Sequence, residues 1–148
     1  MRSTQFAVVA LMGAVLVLSS CRQESVAEKY HPAKIDSTDV AGIMRVTLNA
    51  RAAERIGLQT AQIREDQVTL AGSTVTRKVM PYGALMYDTK GETWTFTNPQ
   101  PLVFVREKVV VEDIDGDRVI LAEGPAPGTV VVTVGAAELM GAEHKYGH

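Results

Sequence analysis

From Gly42 onward the chain alternates apolar and polar residues in short runs broken by turn formers. Met44, Val46 and Leu48 alternate with Arg45, Thr47 and Asn49, which gives one apolar face and predicts a strand. One short helix is predicted next. Asn49 can cap it, Ala50 to Ile56 are good to fair helix formers, and Gly57 can end it in the left-handed conformation. Leu58 to Ile63 and Val68 to Val75 read as further strands, separated by the charged Arg64-Glu65-Asp66. Within Lys78 to Tyr87, Pro81 cannot donate to a ladder, so that strand is expected to start after it or to lie at an edge. Asp88 to Gly91 reads as a turn. Trp94 and Phe96 alternate with Thr93, Thr95 and Thr97, which puts the aromatics on a core face, Trp94 as an anchor, and the threonines on a wet face. Asn98 to Pro101 reads as another turn. Leu102 to Ile114 is valine-rich and reads as one strand. Asp115-Gly116 is a favoured type I′ pair leading into a return strand, Asp117 to Ala122. Gly124 to Gly128 makes a last turn before the strand Thr129 to Val134, and Gly135 to Leu139 can add a helical turn. About eight strands in about ninety residues predict a mainly β fold, a small antiparallel barrel or sandwich with one or two short helices.

The other hydrophobic feature is a 13-residue apolar run, Phe6 to Leu18, behind a short flank carrying Arg2. A basic start, an apolar stretch of this length and small residues after it make a secretory signal peptide over residues 1–20. The run is too short to span a bilayer as a helix. Its ending, Leu18-Ser19-Ser20-Cys21, resembles the bacterial lipobox. That resemblance implies diacylglyceryl transfer to the Cys21 thiol, cleavage before Cys21 and acylation of the new amino terminus by chains such as palmitate. The expected site is therefore lipidation at Cys21. Two or three acyl chains would hold the protein to a membrane of the cell envelope, on the outer leaflet of the plasma membrane or the periplasmic face of the outer membrane. Residues 21–41 are polar with no sustained period and read as a flexible tether, with residues 42–143 as the β-domain and 144–148 as a flexible tail.

Charge and cysteine usage narrow the classes. After the leader the chain keeps 17 acidic and 14 basic residues, a near balance that argues against nucleic acid and against a polybasic membrane surface. Cys21 is the single cysteine, so lipidation would leave no thiol for a disulfide, a thiolate metal site or a nucleophile.

Candidate chemistry is sparse. Asp113, Asp115 and Asp117 are spaced like the first ligands of a calcium loop, but the glycine lies between the acids and position 124 is Gly124, so a hairpin is the better reading. His144 and His148 are four apart near the end of the chain and are weak candidates for copper, nickel or zinc, in an alternative reading as a metal- or small-ligand-binding lipoprotein. Met44, Met80, Met86 and Met140 could serve soft Cu(I), with core filling the default. There is no Gly-Xaa-Ser-Xaa-Gly elbow, no His-Glu-Xaa-Xaa-His and no Gly-rich phosphate loop in the sequence. No catalytic residue and no cofactor is assigned, and the expectation is a binding protein, not an enzyme.

Two stretches carry a family resemblance. Val46-Thr47-Leu48, followed by Ala53-Glu54-Arg55-Ile56-Gly57-Leu58-Gln59-Thr60-Ala61, resembles the entry into the β-barrel region of periplasmic adaptor subunits, or membrane fusion proteins. Val79-Met80-Pro81-Tyr82-Gly83-Ala84-Leu85, Trp94-Thr95-Phe96, Phe104 to Val111, Ile114 to Val119 and Gly128-Thr129-Val130-Val131 through Val134-Gly135-Ala136-Ala137-Glu138-Leu139 resemble its membrane-proximal domain. The resemblance implies a non-catalytic domain that docks on a resistance-nodulation-division efflux transporter or another envelope protein. Only Ile63 to Val79 lies between the two stretches, so the lipoyl-like domain and helical hairpin of full adaptors have no counterpart, and contact with an outer-membrane duct is not implied.

Overall fold

The computed structural model describes residues 30–146. The leader, Cys21 and His148 lie outside the described residues. The fold is mainly β, built from two antiparallel sheets in a sandwich-like arrangement with two helices and no closed barrel. In chain order the elements are β1 (Ala33–Ser37), β2 (Met44–Leu48), α1 (Ala50–Arg55), β3 (Gln59–Gln62), β4 (Arg64–Leu70), β5 (Ser73–Pro81), β6 (Met86–Tyr87), β7 (Thr93–Gln100), β8 (Val103–Lys108), β9 (Val110–Asp115), β10 (Arg118–Glu123), β11 (Val130–Val134) and α2 (Ala136–Tyr146). The larger sheet runs β1-β2-β8-β7-β11-β3, with β6 on β7; the smaller runs β4-β5-β10-β9.

The helices cover one face of the larger sheet. Val46, Leu48, Phe96, Phe104 and Val132 from the strands meet Ala52 and Ala53 of α1 and Ala136 and Leu139 of α2. The smaller sheet packs near the opposite face, where Met80, Val119 and Leu121 gather with Ala84 and Val131. β11 therefore buries Val131 on one side and Val132 on the other. A strand covered on both faces needs a continuous apolar run, which is what its consecutive valines supply.

Among the described residues the chain passes between the sheets four times, and at two of these it does so through a single residue. Ile63 joins β3 to β4, and Val109 joins β8 to β9. Both side chains are 1% exposed and lie in the inter-sheet cluster. Neither crossing strands its backbone groups. Ile63 donates its N–H to Thr129 O at 2.9 Å and accepts from Gly128 N at 2.7 Å. Val109 donates to Thr93 O at 3.0 Å and accepts from the Thr93 hydroxyl at 2.7 Å.

α1 forms as its sequence dictates. Asn49 caps it, accepting from Ala52 N at 2.8 Å, and Gly57 follows at φ +61°. Other expectations are corrected. Val68 to Val75 is not one strand, because Ala71 and Gly72 (φ 49° and 81°) make a turn with the two positive φ values of type I′. Leu102 to Ile114 is divided at Val109 into strands of different sheets. The last hairpin turns on Gly116-Asp117, between paired Asp115 and Arg118. Only Gly116 has positive φ, the pattern of type II′ and not I′. β5 ends at Pro81 instead of starting after it, and it is an interior strand. β7 continues through Pro99 because the Asn98 amide donates to Gln100 O (2.6 Å) and Val103 O (2.8 Å), so the tight turn falls on Pro101-Leu102.

Two segments assigned to tether and tail are structured where described. Ala33 to Ser37 pairs with Leu48 to Met44, and Ala33 and Ile35 pack on the helix-side core. This alternation of two apolar residues is too short to stand out in sequence. At the other end α2 extends to Tyr146, anchored by the buried Glu143.

Ile63→Ala is expected to cost about 2–5 kcal/mol, since it opens a cavity where the sheets join. Denaturant unfolding monitored by circular dichroism checks this; a loss below about 0.5 kcal/mol would show that the crossing residue does not hold the sheets.

Candidate functional site

A polar and aromatic constellation lies where the start of β7 meets the end of β8. These strands are antiparallel, with Phe96 opposite Arg106 and Trp94 opposite Lys108. Residues two apart on a strand share a face, so Arg106 lies diagonally across from Trp94. Its guanidinium carbon sits 4.3 Å from the ring centroid, and Lys108 Nζ lies 5.8 Å from it. A cation over a tryptophan ring contributes about 0.5–2 kcal/mol. The indole N–H donates to Asp88 Oδ2 at 3.2 Å. Asp88 Oδ1 accepts from the backbone of Lys90 (2.8 Å) and Glu92 (2.9 Å), which closes the turn before β7. Desolvation alone would raise the Asp88 carboxyl; the hydrogen bonds from Glu92, Lys90 and Trp94 together outweigh it and hold the group below its ordinary value.

Behind the ring is a buried charge pair. Arg106 Nε lies 3.1 Å from Glu143 Oε2, an ion pair whose angle misses hydrogen-bond geometry, and the two side chains are 10% and 3% exposed. Arg106 Nη2 also donates to Glu143 Oε1 (3.3 Å) and Gly42 O (3.2 Å). Glu143 Oε1 accepts from Met44 N at 3.1 Å. One carboxylate on α2 thus ties the start of β2 and the middle of β8 to the helix. Lys108 pairs with Glu92.

The segment between β1 and β2 forms the facing wall. It is braced internally. The Thr38 hydroxyl donates to Ile43 O (2.7 Å) and accepts from Val40 N (3.2 Å), and Ile43 N donates to Val40 O (3.1 Å). Together with Arg45, Trp94, Val105 and Arg106 this wall bounds a cleft of about 560 Å³. Val40 is 62% exposed at its lip.

The sequence-derived candidates are distributed differently. Trp94 is half-buried at the cleft, not a core anchor, while the neighbouring threonines are buried: Thr95 and Thr97 lie toward the smaller sheet, and Thr97 Oγ1 donates to Val105 O. The wet-face expectation fails because this strand, like β11, is covered on both sides. His144 lies on the last turn of α2 with Nδ1 2.8 Å from Met140 O, and its proposed partner His148 is outside the described residues. Among the described residues no group of three or more His, Cys, Asp or Glu side chains is placed to hold a metal. Met80, Met86 and Met140 pack in or against the cores. Asp113, Asp115 and Asp117 belong to the β9–β10 hairpin, where Asp115 pairs with Arg118.

Arg106, Glu143 and Val40 were not singled out from sequence. Arg106 carries the one available signal, a cation two residues after Phe104 on the same face of a valine-rich strand. Its partner lies 37 residues away, a pairing that no local pattern records. No protein-family model matches the chain, and no curated protein matches it.

Glu143→Ala should cost about 3–5 kcal/mol, because it leaves Arg106 with an uncompensated buried charge and frees the Met44 amide. Replacing both members (Glu143→Leu with Arg106→Met) should recover part of the loss. Equilibrium denaturation measures both; equal stability of Glu143→Ala and the native chain would mean that the pair is solvated.

Proposed function

We propose that this protein is a lipid-anchored, non-catalytic β-domain of a cell envelope that docks on another envelope protein, with the periplasmic part of a resistance-nodulation-division transporter as the partner. The observation that carries the reading is the way two separated stretches interlock. The adaptor-like stretch from Val46 to Ala61 contributes β2, α1 and β3. The adaptor-like stretch from Val79 to Glu143 contributes, among others, β8, β11 and α2. β2 pairs with β8, β3 pairs with β11, and α1 shares its core with α2. The residues between the stretches form the β4–β5 hairpin, which occupies the place in the chain where full adaptors carry further domains. The pieces that suggest the family therefore make one unit without the missing parts, as a stand-alone docking domain requires.

Anchoring rests on the leader and Cys21. No helix among the described residues is long and apolar enough to cross a membrane. The described residues begin beside α1, where Asn49 Nδ2 donates to His31 O and Asn49 N donates to Pro32 O. From Cys21 to Tyr30 an extended chain spans at most about 30 Å, so a lipid on Cys21 would hold the domain close to the membrane surface.

Affinity capture of the lipoprotein from detergent-solubilised membranes tests the docking, and a transporter subunit is the expected co-purifying protein. Recovery of none, under conditions that preserve envelope complexes, would count against it. Cys21→Ala should release the protein from membranes or leave it unprocessed. Normal cleavage with unchanged membrane association would remove the lipid anchor from the account.

A further inference from the structure

We propose that the cleft between the β1–β2 segment and the end of β8 is a binding site for a small, uncharged, flat aromatic compound. The proposal does not rest on the docking reading, and each can hold or fail without the other.

Size and shape come first. About 560 Å³ falls within the range of about 300–1,000 Å³ typical of small-molecule sites. The facing wall is held open by its own hydrogen bonds through Thr38, so the space does not depend on a ligand to form.

The class of ligand follows from which groups still lack a partner. The cations nearest the ring are engaged: Arg106 with Glu143, Gly42 O and the ring itself, and Lys108 with Glu92. The Asp88 carboxylate is bonded to the indole and two backbone amides. An anion would have to compete with Glu143 and Glu92. A cation would meet Arg106 and Lys108 already gathered at the ring. Arg45, Asp39 and Glu107 stand exposed at the rim, one cation against two carboxylates, where solvent screens them. What remains inside that rim is apolar: the exposed Val40 and the open part of Trp94. A flat ring can lie against Trp94 under Val40, where its gain is burial of apolar surface and aromatic contact.

Trp94 is the single tryptophan of the sequence and reports on its own site. The full chain is titrated with N-phenyl-1-naphthylamine, an uncharged aromatic dye, and energy transfer from Trp94 is followed. The matched control is 8-anilinonaphthalene-1-sulfonate, the same ring system with a sulfonate added. Saturable transfer to the uncharged dye is expected, with the sulfonate binding weaker by about tenfold or more, as desolvating an unpaired charge requires. Val40→Asp should weaken the uncharged dye by about tenfold, since it replaces apolar contact with charge at the lip. Val40→Ser, with a smaller loss in the same direction, covers any misfolding of the first variant, and both share the native chain's background of dye in detergent or lipid. Transfer that does not saturate, binding of the sulfonate as tight as that of the neutral dye, or unchanged binding in both Val40 variants would each overturn the proposal.

Discussion

How the chain leaves one sheet for the other without stranding a backbone amide governs everything above the level of a single sheet. Of the four passages between the sheets, Ile63 and Val109 make the two single-residue ones, and each satisfies its N–H and C=O on a neighbouring strand or turn while its side chain enters the inter-sheet cluster. Buried backbone groups must be paired, so a crossing of this kind is tolerated only where partners already stand. Thr129 and Gly128 provide them at one crossing and Thr93 at the other. Because β8 ends at the second crossing, the same constraint fixes the direction in which Arg106 and Lys108 project, and with it the wall of the cleft.

The charge pair behind that wall is the second constraint. Glu143 joins α2 to β2 and β8, and Arg106 carries the connection to Trp94. A buried pair of this kind is weak evidence of stability, because desolvation offsets much of its attraction. Its geometric consequence is firmer. It holds Arg106 over the Trp94 ring and α2 against β2 and β8.

Local signals were legible and long-range ones were not. The alternation of Met44, Val46 and Leu48, the Asn49 cap and the Gly57 stop gave β2 and α1 directly, because each is decided within a few residues. The mainly β class followed from turn spacing. The valine run from Val103 to Val111 hid a sheet switch, since apolar residues on both sides of Val109 read alike whether they continue a strand or leave it. Ala71-Gly72 was passed over as a turn because alanine seldom takes positive φ, and here it does at 49°. The Thr95 and Thr97 face was misread because alternation reports burial on one side, whereas this strand is covered on both. At the cleft, alternation marks Trp94 but puts it inside. Its real setting depends on Glu143 and on residues 38–43, which come together only in three dimensions.

That the two sheets form one cooperative unit, locked at their crossings, is open to direct measurement by native-state hydrogen exchange at the amides of Ile63 and Val109. Both are expected to exchange only through global unfolding, with the same opening free energy as the buried amides of Val131 and Val132 in β11. Markedly lower protection at either crossing, with β11 still fully protected, would mean that the sheets open separately and would contradict the account.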